Sequence, residues 1–136
     1  MLSTFLVILY FGLFYSNGEL SVTVTDLKNT EAPIYMAIYK DNEDFLNTKK
    51  MFTGAKAEPK GNKSAELKVE LPEGEYALAI FQDINGNGEL DTNILGIPKE
   101  PYGFSKNYKP VFSAPKFRDC SIEVKQDTKV SIRLLD

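Results

Sequence analysis

Residues 65–105 read AELKVELPEGEYALAIFQDINGNGELDTNILGIPKEPYGFS, and the remaining segments are most easily placed by working outward from them. Ala65, Leu67, Val69 and Leu71 alternate with Glu66, Lys68 and Glu70, the period-two pattern of a strand with one buried face. Pro72-Glu73-Gly74-Glu75 is a tight turn, and Tyr76 to Gln82 (YALAIFQ) is a second, buried strand. That strand delivers the chain directly into Asp83. From Ile84 to Asp119 no ordinary strand is expected, except a short one at Val111-Phe112. Structureless loops of that length are uncommon in compact domains and are usually functional or disordered. Tyr102, Phe104, Tyr108, Phe112 and Phe117 bring apolar area that can be buried, which argues for an ordered loop.

Upstream, Leu20, Val22 and Val24 alternate with Ser21, Thr23 and Thr25, a half-buried strand. Ile34 to Tyr39 (IYMAIY) is apolar on both faces, as a central strand covered on each side should be. Asp41 to Gly54 is polar with Phe45, Leu46, Met51 and Phe52 embedded; it reads as a short helix capped by Asp44 or as an ordered loop lidding the core. Ala55 to Ser64 reads as a connection, with a glycosylation sequon at Asn62-Lys63-Ser64. Downstream, Ser121–Lys125 and Val130–Leu134 are expected to form a closing hairpin around Gln126-Asp127-Thr128. Short strands separated by turn signals point to an all-β fold, a single antiparallel Greek-key β-sandwich. Its long ordered loop lies between the fourth strand and the C-terminal hairpin.

The 136 residues suffice for one domain, and a net charge of −3 with pI near 5.1 argues against nucleic acid, whose binding needs a basic face. Phe5 to Tyr15 (FLVILYFGLFY) is an unbroken apolar run followed by Ser16, Asn17 and Gly18. It has the length of a signal-peptide core and falls short of the ~20 residues that span a bilayer. Ser16 and Gly18 put small residues at −3 and −1 of a cut before Glu19. No Lys or Arg precedes the run, so a retained anchor and a hydrophobic first strand stand as alternatives. The expected organisation is therefore residues 1–18 as signal peptide and 19–136 as the β-sandwich, secreted or periplasmic. The chain meets a membrane only through its N-terminal segment if that is uncleaved. Cys120 is the single cysteine, in register with Ile122 and Val124, and reads as a small buried hydrophobe.

The segment after Gln82 carries the chemistry. Counting Asp83 as position one of an EF-hand loop, Asn85, Asn87 and Asp91 fall at three, five and nine, Gly88 at six, and the Glu89 carbonyl at seven. A hard cation such as calcium takes about six to eight oxygens, and such a loop supplies most of them. Position twelve is Ile94, so the bidentate Glu is missing, and a strand leads in instead of a helix. Weak binding follows, with Kd on the order of 10⁻⁴–10⁻³ M. A bound ion near the root would hold the loop in shape. The competing reading is an Asx-rich turn in which Asn85-Gly86 and Asn87-Gly88 accommodate left-handed backbone. Beyond it, Glu100 and Ser105 with Tyr102 and Phe104 form a candidate ligand surface. In the bland alternative the aromatics plug the sandwich and Glu100 caps backbone amides.

The run from Leu71 to Ser105 resembles the signature of an uncharacterised bacterial family, domain of unknown function 2141. The matching residues are Leu71, Pro72, Gly74 and Tyr76; Asp83, Asn85, Asn87, Gly88, Leu90 and Asp91; Gly96, Pro98 and Glu100; and Tyr102, Gly103, Phe104 and Ser105, with Pro115, Phe117 and Asp119 beyond. The resemblance implies an exported protein with an immunoglobulin-like or transthyretin-like sandwich and no established activity. Two departures stand out. Gln82 sits where the family often has His, and Cys120 where a small Ala is commoner.

With no His in the chain, Ser-His-Asp and Cys-His nucleophile systems cannot be assembled. The expected function is an exported, non-enzymatic binding or structural module of the cell envelope. Its partner would be a glycan, peptide or envelope protein, and its ion calcium. The alternative is a small hydrolase using Asp83, Asp91 and Glu100 on an envelope or extracellular glycan or peptide.

Overall fold

A computed structural model describes residues 16–136. The apolar run 5–15 lies outside the described residues. The strands are β1 (Asn17–Thr25), β2 (Ile34–Tyr39), β3 (Thr53–Ala57), β4 (Ala65–Pro72), β5 (Gly74–Gln82), β6 (Tyr102–Phe104), β7 (Ile122–Val124) and β8 (Thr128–Arg133), with one helical turn α1 (Phe117–Cys120). They form two sheets. One is ordered β4-β1-β8; the other is β3-β2-β5-β6, with β7 also pairing β5. The alternating residues Leu20, Val22, Val24, Leu67 and Leu71 meet Ile34, Met36, Ile38, Leu78 and Ile80 across the interior. This is the all-β sandwich that the alternation implies.

β2 is central, between β3 and β5; Ile34, Met36 and Ile38 on its inner face are fully buried, whereas on the other face Tyr35 and Ala37 are half-buried and only Tyr39 is fully covered. On its second face Tyr39 is buried and meets Phe45 edge-on at 5.4 Å, and Phe45 in turn meets Phe117 at 6.1 Å. Phe45, Leu46, Tyr102, Tyr108 and Phe117 thereby cover a second small core of Ala77, Phe104 and Cys120. Of the two readings of Asp41–Gly54, the lid is the one observed. Its only helical piece is a 3-10 turn at Thr48–Lys50 whose cap is Asn47, not Asp44.

Three expectations need correction. The closing hairpin does not exist: β7 pairs β5 antiparallel, with Tyr76 opposite Ile122, while β8 crosses to the other sheet and runs parallel to β1. Alternation shows that Val124 and Ile132 point inward, and both do, but it carries no information on which sheet each joins. One strand pair is therefore parallel in an otherwise antiparallel sandwich. β3 lies in Thr53–Ala57, at the edge of the stretch read as a connection. Its Gly, Ala and Lys are poor strand formers that an edge position with one partner tolerates. In the long segment, β6 and α1 are ordered while Val111 and Phe112 form no strand and stand exposed at 77% and 100%. Elements of three or four residues are too short for a period to register.

β6 closes one side of the sandwich. Tyr102 and Leu135 exchange backbone hydrogen bonds of 3.0 and 2.7 Å, joining the two sheets at that corner. Gly103 makes the approach possible, since a Cβ there would lie 2.8 Å from Ile132 Cγ2 and 3.1 Å from the Arg133 carbonyl oxygen. β1 begins at the opposite end from the loop. Asn17 pairs with Pro72 and Glu73 donates to the Ser16 carbonyl, whereas Gln82 ends β5 beside Lys28 and Asn29. β1 begins at Asn17, two residues ahead of the expected mature start at Glu19.

Candidate functional site

The site grows from the point where β5 runs out. Gln82 is fully buried, and its side chain accepts from the N–H groups of Lys28 (3.0 Å) and Asn29 (3.2 Å). It donates to the carbonyls of Asn29 (2.6 Å) and Ala32 (3.1 Å), so all its polar capacity is used. Its backbone N–H donates to the Pro101 carbonyl at 2.9 Å, and the N–H of Asp83 to that of Pro33. Asp83 to Pro101 is thus a closed excursion standing on one end of the sandwich.

Two buried carboxylates shape it. Asp83 turns inward, accepting from Gly86 N–H (3.1 Å) with one oxygen and Gly88 N–H (2.8 Å) with the other. Both glycines have φ above +70°, the left-handed backbone that the Asn-Gly pairs suggested. Glu100 spans the loop from the far side, accepting from Ile84 N–H (2.7 Å) and Asp91 N–H (3.1 Å). These are charge-assisted bonds, worth about 1.5–3 kcal/mol each. The protein's own carboxylates fasten the root of the loop.

Asp91 is half-buried and turns its carboxylate to the exposed side chains of Asn85 and Asn87. Asn87 donates to both of its oxygens, at 2.9 and 3.2 Å, and the Asn85 amide donates to it as well. The amide oxygens of Asn85 and Asn87 meanwhile accept from Asn87 N–H (3.2 Å) and Glu89 N–H (3.0 Å). Asp91, Asn85 and Asn87 are therefore brought together, with Asp83 beneath them and Glu89 exposed on the rim. Rotating the two amides by half a turn would bring their oxygens toward Asp91. Among the described residues no three His, Cys, Asp or Glu side chains form a metal-binding group. A cation here would rest on carboxylate, amide and backbone oxygens, a hard set suited to calcium and poor for zinc.

The four residues of the candidate ligand surface are placed mainly inside. Ser105 is fully buried, its hydroxyl accepting from Leu78 N–H (2.9 Å) and donating to the Cys120 carbonyl. Phe104 is in the second core, Glu100 is committed as described, and Tyr102 is half-buried edge-on to Phe104. That is the geometry of the packing alternative. Instead, an open cleft of about 510 Å³ lies beside the loop, lined by Ile84, Asn85, Asp91, Thr92, Lys99 and Glu100. Ile84, Thr92 and Lys99 were missed by sequence reasoning. The Asn93…Gly96 turn that brings the neighbourhood of Thr92 and Lys99 together was the available signal. Cys120 is buried, and burial, with the Asp119 charge adding to it and Lys106 opposing, pushes its thiol up to about 12.

Residues 22–133 match the model of an uncharacterized protein family conserved in bacteria, DUF2141. The chain belongs to the DUF2141 family. The match spans every strand from within β1 to the end of β8, so it covers the sandwich and the excursion together. No curated protein and no solved structure matches. In this DUF2141 protein, Gln82 does with a flat amide what a buried turn at that point requires, two acceptances and two donations.

Proposed function

We propose that this DUF2141 protein is an exported, non-enzymatic module of the cell envelope whose Asp83–Asp91 loop takes up a calcium-type cation. The cleft beside that loop is where a glycan, peptide or envelope protein would dock. The observation that carries the reading is the Asp91 carboxylate, flanked by the exposed Asn85 and Asn87 amides on a loop already fastened from below. Export rests on the apolar run Phe5–Tyr15 with the small residues that follow it. Carboxylate hydrolysis has less to work with, because Asp83 and Glu100 hold backbone N–H groups and leave only Asp91 turned toward the exposed amides.

Melting in calcium against melting in chelator tests it. A ligand that binds only the folded state stabilises it. For a Kd on the order of 10⁻³ M, ten millimolar calcium adds about 1.4 kcal/mol, a rise in Tm of roughly 5 °C. Asp91→Ala should lose that rise while keeping the fold. Identical melting of wild type with and without calcium would remove the ion from the account.

A further inference from the structure

Past the ion loop the chain doubles back between Thr92 and Pro98, which form one antiparallel bridge. Asn93 builds the turn. Its side-chain oxygen accepts from Leu95 N–H (2.9 Å) and Ile97 N–H (3.1 Å), and its carbonyl from Gly96 N–H (2.9 Å). Its own N–H donates to the Ile97 carbonyl at 2.9 Å. This internally bonded turn holds Ile94 at 102%, Leu95 at 77% and Ile97 at 53% exposure, at the end of the molecule away from the start of β1. Aliphatic side chains held out by a built turn offer a contact surface to another apolar phase.

We propose that the Asn93–Ile97 turn inserts into the surface of a lipid bilayer. Size and composition single out that occupant. Three aliphatic side chains offer on the order of a few hundred Å², against about 800 Å² per partner in a stable protein–protein interface, which argues against a second copy. The turn also lacks the Trp, Tyr and Arg on which protein interfaces concentrate their binding energy. A fluid acyl phase requires no complementary shape. Burying backbone in such a phase is cheaper when its polar groups are satisfied internally, and four of the five N–H groups from Asn93 to Ile97 are, all but that of Ile94. Glu89 and Asp91 outnumber Lys99 around the turn, so zwitterionic lipid is the surface it meets without repulsion. The inference does not need the ion.

Cys120 is buried and its thiol un-ionised at neutral pH, so a cysteine placed elsewhere can be labelled selectively. The full chain carrying Leu95→Cys with an environment-sensitive fluorophore is mixed with phosphatidylcholine vesicles. Its twin carries Glu73→Cys, beside Ser16, and so reports on insertion through the N-terminal run. The Leu95 label should shift to shorter wavelength and be quenched by acyl-chain quenchers, and the Glu73 label should not. Adding Ile94→Asp should lower that partitioning at least tenfold with unchanged melting. A Leu95 label that stays wet at every lipid concentration overturns the proposal. So does a shift that needs no lipid and grows with protein concentration, the mark of self-association. Vesicles containing phosphatidylglycerol, with and without calcium, report separately on the ion loop: calcium dependence there supports the ion, and its absence leaves the zwitterionic result standing.

Discussion

Gln82, Asp83 and Glu100 are polar, buried and fully engaged, and each fastens backbone that no strand holds. Replacing Glu100 with Gln leaves one acceptor oxygen for two N–H donors. The variant should lose about 1–3 kcal/mol in urea denaturation, with the Ile84 or Asp91 amide left unpaired. Cys120 yields a pH prediction. Its proton is held up to about 12 in the folded chain and to an ordinary 9.0 when exposed. Between those values the unfolded chain releases a proton that the folded chain keeps, so this contribution is complete below about pH 9 and lost as pH rises toward 12. Burial raises the Tyr39 and Tyr76 phenols too, adding to the alkaline loss. Denaturation midpoints should fall above pH 9, less steeply in Cys120→Ala, and a thiol reagent at pH 8 should react only after unfolding. The buried role of Cys120 was legible because its neighbours alternate. The role of Gln82 was not, since its four partners lie some fifty residues away in sequence.

At the scale of elements, length decided what could be read. β1, β2, β4 and β5 run six to nine residues, enough for alternation to show. β6 and α1 run three or four, and they are the pieces that the long segment contributes. Pairing is a further matter. β7 and β8 look like a hairpin because only a few residues separate them, yet a free edge of β1 and the start of β5 each offer a partner. Gly103 in β6 lies against Ile132 and Arg133 of β8, and its small size matters there. Gly103→Ala should cost about 1–3 kcal/mol through overpacking against Ile132 and Arg133, measured by the urea midpoint at unchanged slope.

For the molecule as a whole, the sandwich separates two ends. One carries the start of β1. The other carries the excursion from Asp83 to Pro101, with the ion loop, the cleft and the aliphatic turn side by side. The ion loop was legible from Asp83, Asn85, Asn87 and Asp91 because oxygen spacing is a local property. The assignment of work among them was not. Asp83 turns inward and Asp91 toward the exposed Asn85 and Asn87 side chains, a difference set by the glycine turns and by Glu100 reaching across. The most direct test is a calcium titration followed by amide resonances of the labelled protein. Shifts concentrated at residues 85–91 and saturating in the millimolar range are the expected result. Resonances there that stay put while calcium rises well past ten millimolar would contradict it.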